Sequence, residues 1–152
     1  MLALQLAEDY SNLPDLISKY DNILEDAKDD LAISNKTLMQ CNSEQPILFA
    51  KYNKHHQEIK SLLNVIEIRL EKKKGDLWKK FRETSNVALS TTDLTHWIEG
   101  DTQYNKIKIY HAMVVDVVNN MAALMKAFEQ RGYVLRNLTD LRVHELHMYV
   151  IE

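Results

Sequence analysis

The residues best suited to chemistry form a dense cationic run, Lys72-Lys73-Lys74 followed by Lys79-Lys80-Phe81-Arg82, with Trp78 among them. Lysine and arginine bind a phosphate backbone by releasing condensed counterions, an affinity that salt weakens and base sequence leaves unchanged. Aromatic rings such as Trp78 and Phe81 can stack on unpaired bases, which single strands offer and duplexes do not. The competing reading is a solvated helix face with Trp78 and Phe81 turned into the core. Geometry separates the options for Lys80 and Arg82. Two positions apart, they share a face in an extended segment and diverge by about 200° in a helix. The chain as a whole is acidic, with 19 Lys+Arg against 22 Asp+Glu. Residues 1–50 hold 3 basic and 9 acidic side chains, residues 51–82 hold 10 and 4, and residues 83–152 hold 6 and 9. An acidic chain that gathers its cations into one stretch is suited to holding an anion there and repelling it elsewhere.

Other chemistries find less support. Cys41 is the single cysteine, so no internal disulfide is possible; it suits a reducing compartment and lies in no nucleophile motif. His55 and His56 are adjacent and face different ways on a helix. His144 and His147 stand at i and i+3, with no third ligand placed by spacing, so no metal and no cofactor is expected. Glu99 and Asp101 flank a glycine, and helix capping explains Asp101 without acid–base chemistry. There is no glycine-rich phosphate loop and no Ser/His/Asp arrangement, so an enzyme is not expected. No apolar run reaches the roughly 18 residues of a membrane span. The N-terminal stretch Met1-Leu2-Ala3-Leu4 turns acidic at Glu8-Asp9 without a basic start, unlike a signal peptide. The expectation is a soluble intracellular protein.

The elements that must position the cations read as helices. Three glycines and two prolines in 152 residues disfavour a turn-rich β architecture. After Ser11-Asn12-Leu13-Pro14, the residues Leu13, Ile17, Tyr20, Leu24, Ala27 and Leu31 recur alternately every four and three positions, a helical stripe. A break is expected at Leu31 to Asn35, with Ser34 or Asn35 capping a short helix through Leu38. Asn42-Ser43-Glu44-Gln45-Pro46 signals a new helix with proline in its first turn. Its stripe is Tyr52, His56, Ile59, Leu63, Ile66, Leu70, Lys73 and Leu77, and the two stripes could pack as an antiparallel hairpin. Gly75-Asp76 is expected to end or bend this helix, which resumes briefly through Arg82. Thr84 to Glu99 reads as irregular, with Leu94 to Ile98 either a short extended segment or a single helical turn. Asp101 or Thr102 caps the most apolar helix, in which Ile107, Val114, Met121 and Phe128 recur every seven residues, as do Tyr110, Val117 and Leu124. Val115, Val118 and Met125 widen its apolar sector, which points to self-association. Arg131-Gly132 reads as a stop. An amphipathic segment from Tyr133 to about Met148 follows, carrying Val134, Leu135, Leu138, Leu141, Leu146 and Val150, and could clasp a neighbour.

The run Phe128-Glu129-Gln130-Arg131-Gly132-Tyr133-Val134-Leu135-Arg136-Asn137-Leu138-Thr139-Asp140-Leu141-Arg142 resembles the end of the UvsY recombination mediators of T-even-like phages. Further pieces match in order: Asp30-Leu31-Ala32-Ile33 with Leu38, Asn53-Lys54-His55, Ile66-Glu67, and Asp101-Thr102 opening the apolar helix. The resemblance covers roughly residues 30–145. The Lys-x-Arg signature of that family corresponds most naturally to Lys80-Phe81-Arg82; extra residues before Lys80 leave open a second register, with Lys79 at the lysine position.

The resemblance implies a non-enzymatic assembly factor in the cytoplasm of an infected bacterial host. Its subunits would form rings of six or seven, joined largely through the C-terminal region. It would bind single-stranded DNA and help load a RecA-like phage recombinase onto strands covered by the phage single-strand-binding protein. The expected fold is all-α, a single domain over residues 1–152: an N-terminal helical hairpin with the basic segment (1–83), an irregular connector (84–100), and apolar oligomerisation helices (101–152). The expected DNA-binding residues are Lys72, Lys73, Lys74, Lys79, Lys80 and Arg82. The expected oligomerisation residues are Val114, Val117, Val118, Met121, Leu124, Met125, Phe128, Leu135, Leu138 and Leu141. The alternative is a coiled-coil scaffold that binds no nucleic acid.

Overall fold

The computed structural model describes residues 12–85 and 88–144. Among these are four helices, α1 (Leu13–Leu31), α2 (Leu38–Thr84), α3 (Thr91–Glu99) and α4 (Thr102–Val143), and no strand. The all-α expectation holds, and the stretch left open between strand and helix, Leu94 to Ile98, is helical. Residues 1–11 and 145–152, including Ser11 and the tail residues Leu146, His147, Met148 and Val150, lie outside the described residues.

The helix α1 follows its stripe: Leu13, Tyr20 and Ala27 are buried, joined by Leu16. It ends at Leu31, and Asn35 takes the left-handed conformation with φ 61°, which asparagine tolerates better than most residues. The next helix starts earlier than expected and runs further. Thr37 caps α2: its Oγ1 accepts from the Gln40 N–H at 3.2 Å, and the Gln40 Oε1 accepts from the Thr37 N–H at 2.9 Å. This reciprocal pair is a capping box. Neither Ser34 nor Asn35 caps this helix, and Pro46 sits inside it rather than in a first turn. A proline in a helix interior costs about 3 kcal/mol. Bonds in the turn before it offset part of that cost: Asn42 Nδ2 donates to Thr139 Oγ1 at 3.0 Å, and Gln45 Nε2 donates to the Phe128 carbonyl at 2.7 Å.

Gly75 does not end α2. It has a negative φ, and a Cβ added there would meet nothing within 4 Å. Glycine in a helix interior costs about 1 kcal/mol relative to alanine, too little to stop a helix that buries Leu77 two residues on. Arg131-Gly132 likewise is not a stop, since α4 passes through it to Val143. Gly132 is small for a packing reason: an added Cβ would stand 3.2 Å from Gln45 Nε2.

The described chain packs as two compact units. One comprises residues 12–18 and 58–118, the other residues 19–57 and 119–144, so both long helices contribute to each. The second unit joins parts of α1, α2 and α4. Tyr20 Oη donates to the His55 carbonyl at 3.3 Å, while Asp30 Oδ2 accepts from Tyr52 Oη at 2.7 Å and from Lys51 Nζ at 2.9 Å. The order of these pairs makes α1 antiparallel to α2. The Tyr52 ring is fully buried and stacks on Phe128, with centroids 4.8 Å apart. Burial and then the bond to Asp30 push the Tyr52 hydroxyl up to about 12. Burial works against the Asp30 carboxylate, but the bonds from Lys51 and Tyr52 outweigh it and hold the group below its ordinary value.

Arg131 is buried in this unit with 5% of its surface exposed. Its Nε donates to the Leu31 carbonyl at 3.2 Å, and its Nη1 reaches Gln45 Oε1 and, at 3.5 Å, the Cys41 carbonyl. The Leu31 carbonyl belongs to the last turn of α1, where no intrahelical donor exists. Arginine here closes a helix end and ties α1, α2 and α4 together.

Candidate nucleic-acid interface

The first unit holds the cationic run on the last third of α2. Its core gathers Leu77, Ile98 and Tyr104, with Leu70 and Phe81 packed against them. That core fixes which way each cation points. At about 100° per residue, Leu70, Leu77 and Phe81 mark one side of α2, and Lys72, Lys79 and Arg82 fall on the opposite side within a sector of about 80°. Lys73 and Lys80 form one flank, Lys73 being half-buried. On the other flank Lys74, Trp78 and Arg82 are spaced by four, one above another.

The segment is helical, so Lys80 and Arg82 diverge and do not form a common pair. The cations that share a face are Lys72, Lys79 and Arg82, which the spacing of seven and three could have indicated. Among the described residues no carboxylate pairs with Lys72, Lys73, Lys74, Lys79, Lys80 or Arg82. Their charges are therefore free to meet an external anion. The run from Lys72 to Arg82 rises about 15 Å along the helix.

The two aromatic residues part ways. Phe81 packs against the core and meets Trp97 edge-on, with centroids 5.5 Å apart at 90°. Trp78 remains 38% exposed, and the Arg82 guanidinium lies over its ring at 4.9 Å. Beside this pair is a cavity of about 430 Å³ whose far wall includes Leu89, Thr91 and Leu94. That wall comes from α3 and the residues before it, within the stretch read from sequence as an irregular connector. A capping box holds α3 in place: the Asp93 N–H donates to Ser90 Oγ at 3.2 Å, and the Asp93 carboxylate accepts from the Ser90 N–H and hydroxyl. The Ser90 hydroxyl and N–H hold the Asp93 carboxyl below its ordinary value. The signal for this helix was Ser90-Thr91-Thr92-Asp93 itself, which also reads as a turn. Asp101 caps α4 as expected, accepting from the Tyr104 N–H at 2.8 Å.

The residues expected to join subunits divide. Val114, Val117, Met121, Leu124, Met125, Phe128 and Leu135 are buried in the folded chain and Val118 half-buried, so the width of the apolar sector is used within the chain. Leu138 and Leu141 are exposed, together with Val134. Among the described residues no group of three His, Cys, Asp or Glu is placed to hold a metal, and no helix is long and apolar enough to cross a membrane. His147 is outside that search.

An all-helical chain with an unpaired cationic helix face has the form of a nucleic-acid-binding protein. Residues 25–146, most of the chain, match the family described as recombination, repair and ssDNA binding protein UvsY, and the chain belongs to that family. No curated protein and no solved structure matches it.

Proposed function

We propose that this protein is a non-catalytic recombination mediator whose α2 cations hold the phosphates of single-stranded DNA. The observation that carries the reading is the unpaired set Lys72, Lys79 and Arg82 on one helix face, in a chain of a single-strand-binding family. Lys73, Lys74 and Lys80 on the flanks supply further charge to the same strand. The mediator step, loading of a RecA-like phage recombinase onto strands covered by the phage single-strand-binding protein, follows from the family resemblance, as does the host cytoplasm as its place of action.

Assembly belongs to the same proposal. Val134, Leu138 and Leu141 make an exposed apolar stripe at spacings of four and three on the last turns of α4. A second copy of the chain covers this stripe, and a ring of six or seven copies repeats the cationic face, which raises affinity by multivalency.

Anisotropy of labelled oligo-dT across a salt titration tests the site. Replacing Lys79, Lys80 and Arg82 by alanine weakens binding and flattens its salt dependence, with the mass by light scattering unchanged. Unaltered affinity and slope would remove the site and favour a scaffold that leaves nucleic acid alone. Leu138→Asp with Leu141→Asp lowers the mass to monomers or dimers; an unaltered mass would refute the assembly surface.

A further inference from the structure

We infer that the cavity beside Trp78 is a nucleobase subsite, which takes one unpaired base of the bound strand against the Trp78–Arg82 pair. The inference rests on the single-strand reading of the α2 face and adds to it a component of binding that does not depend on phosphate.

The cavity is lined by Trp78, Arg82, Ser85, Leu89, Thr91 and Leu94. Its volume of about 430 Å³ lies within the roughly 300–1,000 Å³ usual for small-molecule clefts. Counterion release needs only lysines and arginines, so it leaves the aromatic and aliphatic walls unexplained. Those walls suit a base: a flat π surface and apolar side chains for its faces, and a larger polar share of the lining for its edges. Trp78 supplies the ring, and Arg82 is already laid over it at 4.9 Å. A guanidinium over an indole is planar and cationic, and a face turned outward can stack on a base. Leu89 and Leu94 offer apolar contact, and Thr91 supplies a hydroxyl.

The opposite wall is firm enough to form a slot. The Ser90–Asp93 capping box fixes the start of α3, Ile98 anchors it in the core beside Leu77, and Trp97 packs on Phe81. Lys74 stands one turn before Trp78 on the same flank, and Lys79 lies beside it. A strand with its phosphates along these cations passes the cavity at each base. In a duplex every base has both faces stacked on neighbours, so only an unpaired base can enter.

The test uses the full chain, labelled oligo-dT, and an abasic oligonucleotide of equal length. The native chain binds oligo-dT about five- to a hundredfold more tightly than the abasic strand, the range for one stacked base. Trp78→Ala brings that ratio close to one and keeps the salt slope; Trp78→Phe retains part of it. Leu89→Trp, which fills the cavity and leaves both α2 side chains in place, also brings the ratio down, so the outcome does not depend on one variant folding. Equal affinity of the native chain for the two strands would overturn the subsite. So would a ratio that survives Trp78→Ala while the oligomer mass changes, a result that assigns the cavity to a protein contact. Failure of the phosphate site looks different: neither strand then responds to salt or to loss of Lys72, Lys79 and Lys80.

Discussion

Replacing Arg131 by alanine tests whether a buried cation without a carboxylate holds the second unit together. The substitution strips donors from the Leu31 carbonyl and from Gln45 Oε1, and a weaker one from the Cys41 carbonyl at 3.5 Å. An acceptor left unsatisfied on burial costs about 1–3 kcal/mol. Two effects oppose each other beyond that. The cavity left by the aliphatic stem adds to the loss. Removing a guanidinium that is 5% exposed and has Nη2 without a partner relieves a desolvation penalty. Taking the two stronger bonds and letting cavity and desolvation roughly cancel, the net loss is about 2–6 kcal/mol. For a chain of 152 residues that is a fall in Tm of roughly 4–24 °C. Urea denaturation followed by circular dichroism reads the loss, and Arg131→Met separates its causes by keeping volume and losing the donors. The expected order of stability is native, then methionine, then alanine. A methionine variant as stable as the native chain would refute the reasoning, because the bonds to Leu31 and Gln45 would then contribute nothing against the cost of burying the charge.

The two interior helix glycines should respond oppositely to alanine. Gly75→Ala gains about 0.5–1 kcal/mol in thermal denaturation, since its Cβ enters open space, whereas Gly132→Ala forfeits that gain by pressing on Gln45 at 3.2 Å; equal effects would contradict the packing account. Stability should also fall as pH rises from about 10 to about 12. The Tyr52 hydroxyl ionises at 10.0 when unfolded and only at about 12 when folded, so its contribution is complete below pH 10 and lost across that interval. Tyr52→Phe removes this part of the alkaline limb, and an unchanged limb in pH-dependent melting would sink the assignment. Asp30, held low, acts at the other end: its contribution is present above about pH 4 and disappears as pH falls through its folded value.

Periodicity made the helical class legible, because Leu13, Tyr20, Ala27, Tyr52, Ile59, Ile66 and Leu77 are all buried where the stripes placed them. Boundaries were less legible. Pro46, Gly75 and Gly132 each carry a local signal worth between about 1 and 3 kcal/mol, and each was overridden by tertiary contacts that no local window contains. Gln45 illustrates this best. It reads as a polar residue beside a proline, yet it joins Phe128, Arg131 and Gly132, more than eighty positions away. The cationic run was visible as composition, and the helix decides which of its members share a side. Lys80 and Arg82 would share a face only in an extended segment; the helix turns them apart and sets Lys72, Lys79 and Arg82 on one side. The cavity beside Trp78 was hidden because the stretch holding α3 reads as an irregular connector.

The way Arg131 is bound has a consequence for the cycle of capture and release. Its partners are carbonyl oxygens and an amide, not carboxylates, and the neighbouring contacts of α2 with α4 are the Tyr52–Phe128 stack and the Asn42 and Gln45 bonds. Mobile ions compete poorly with such contacts, whereas they compete directly with a strand held on exposed lysines. The tie that organises the second unit and the proposed grip on DNA therefore answer to different variables. On the proposed reading, an ionic or anionic competitor, including an acidic protein surface, strips the strand from the first unit while the second stays folded.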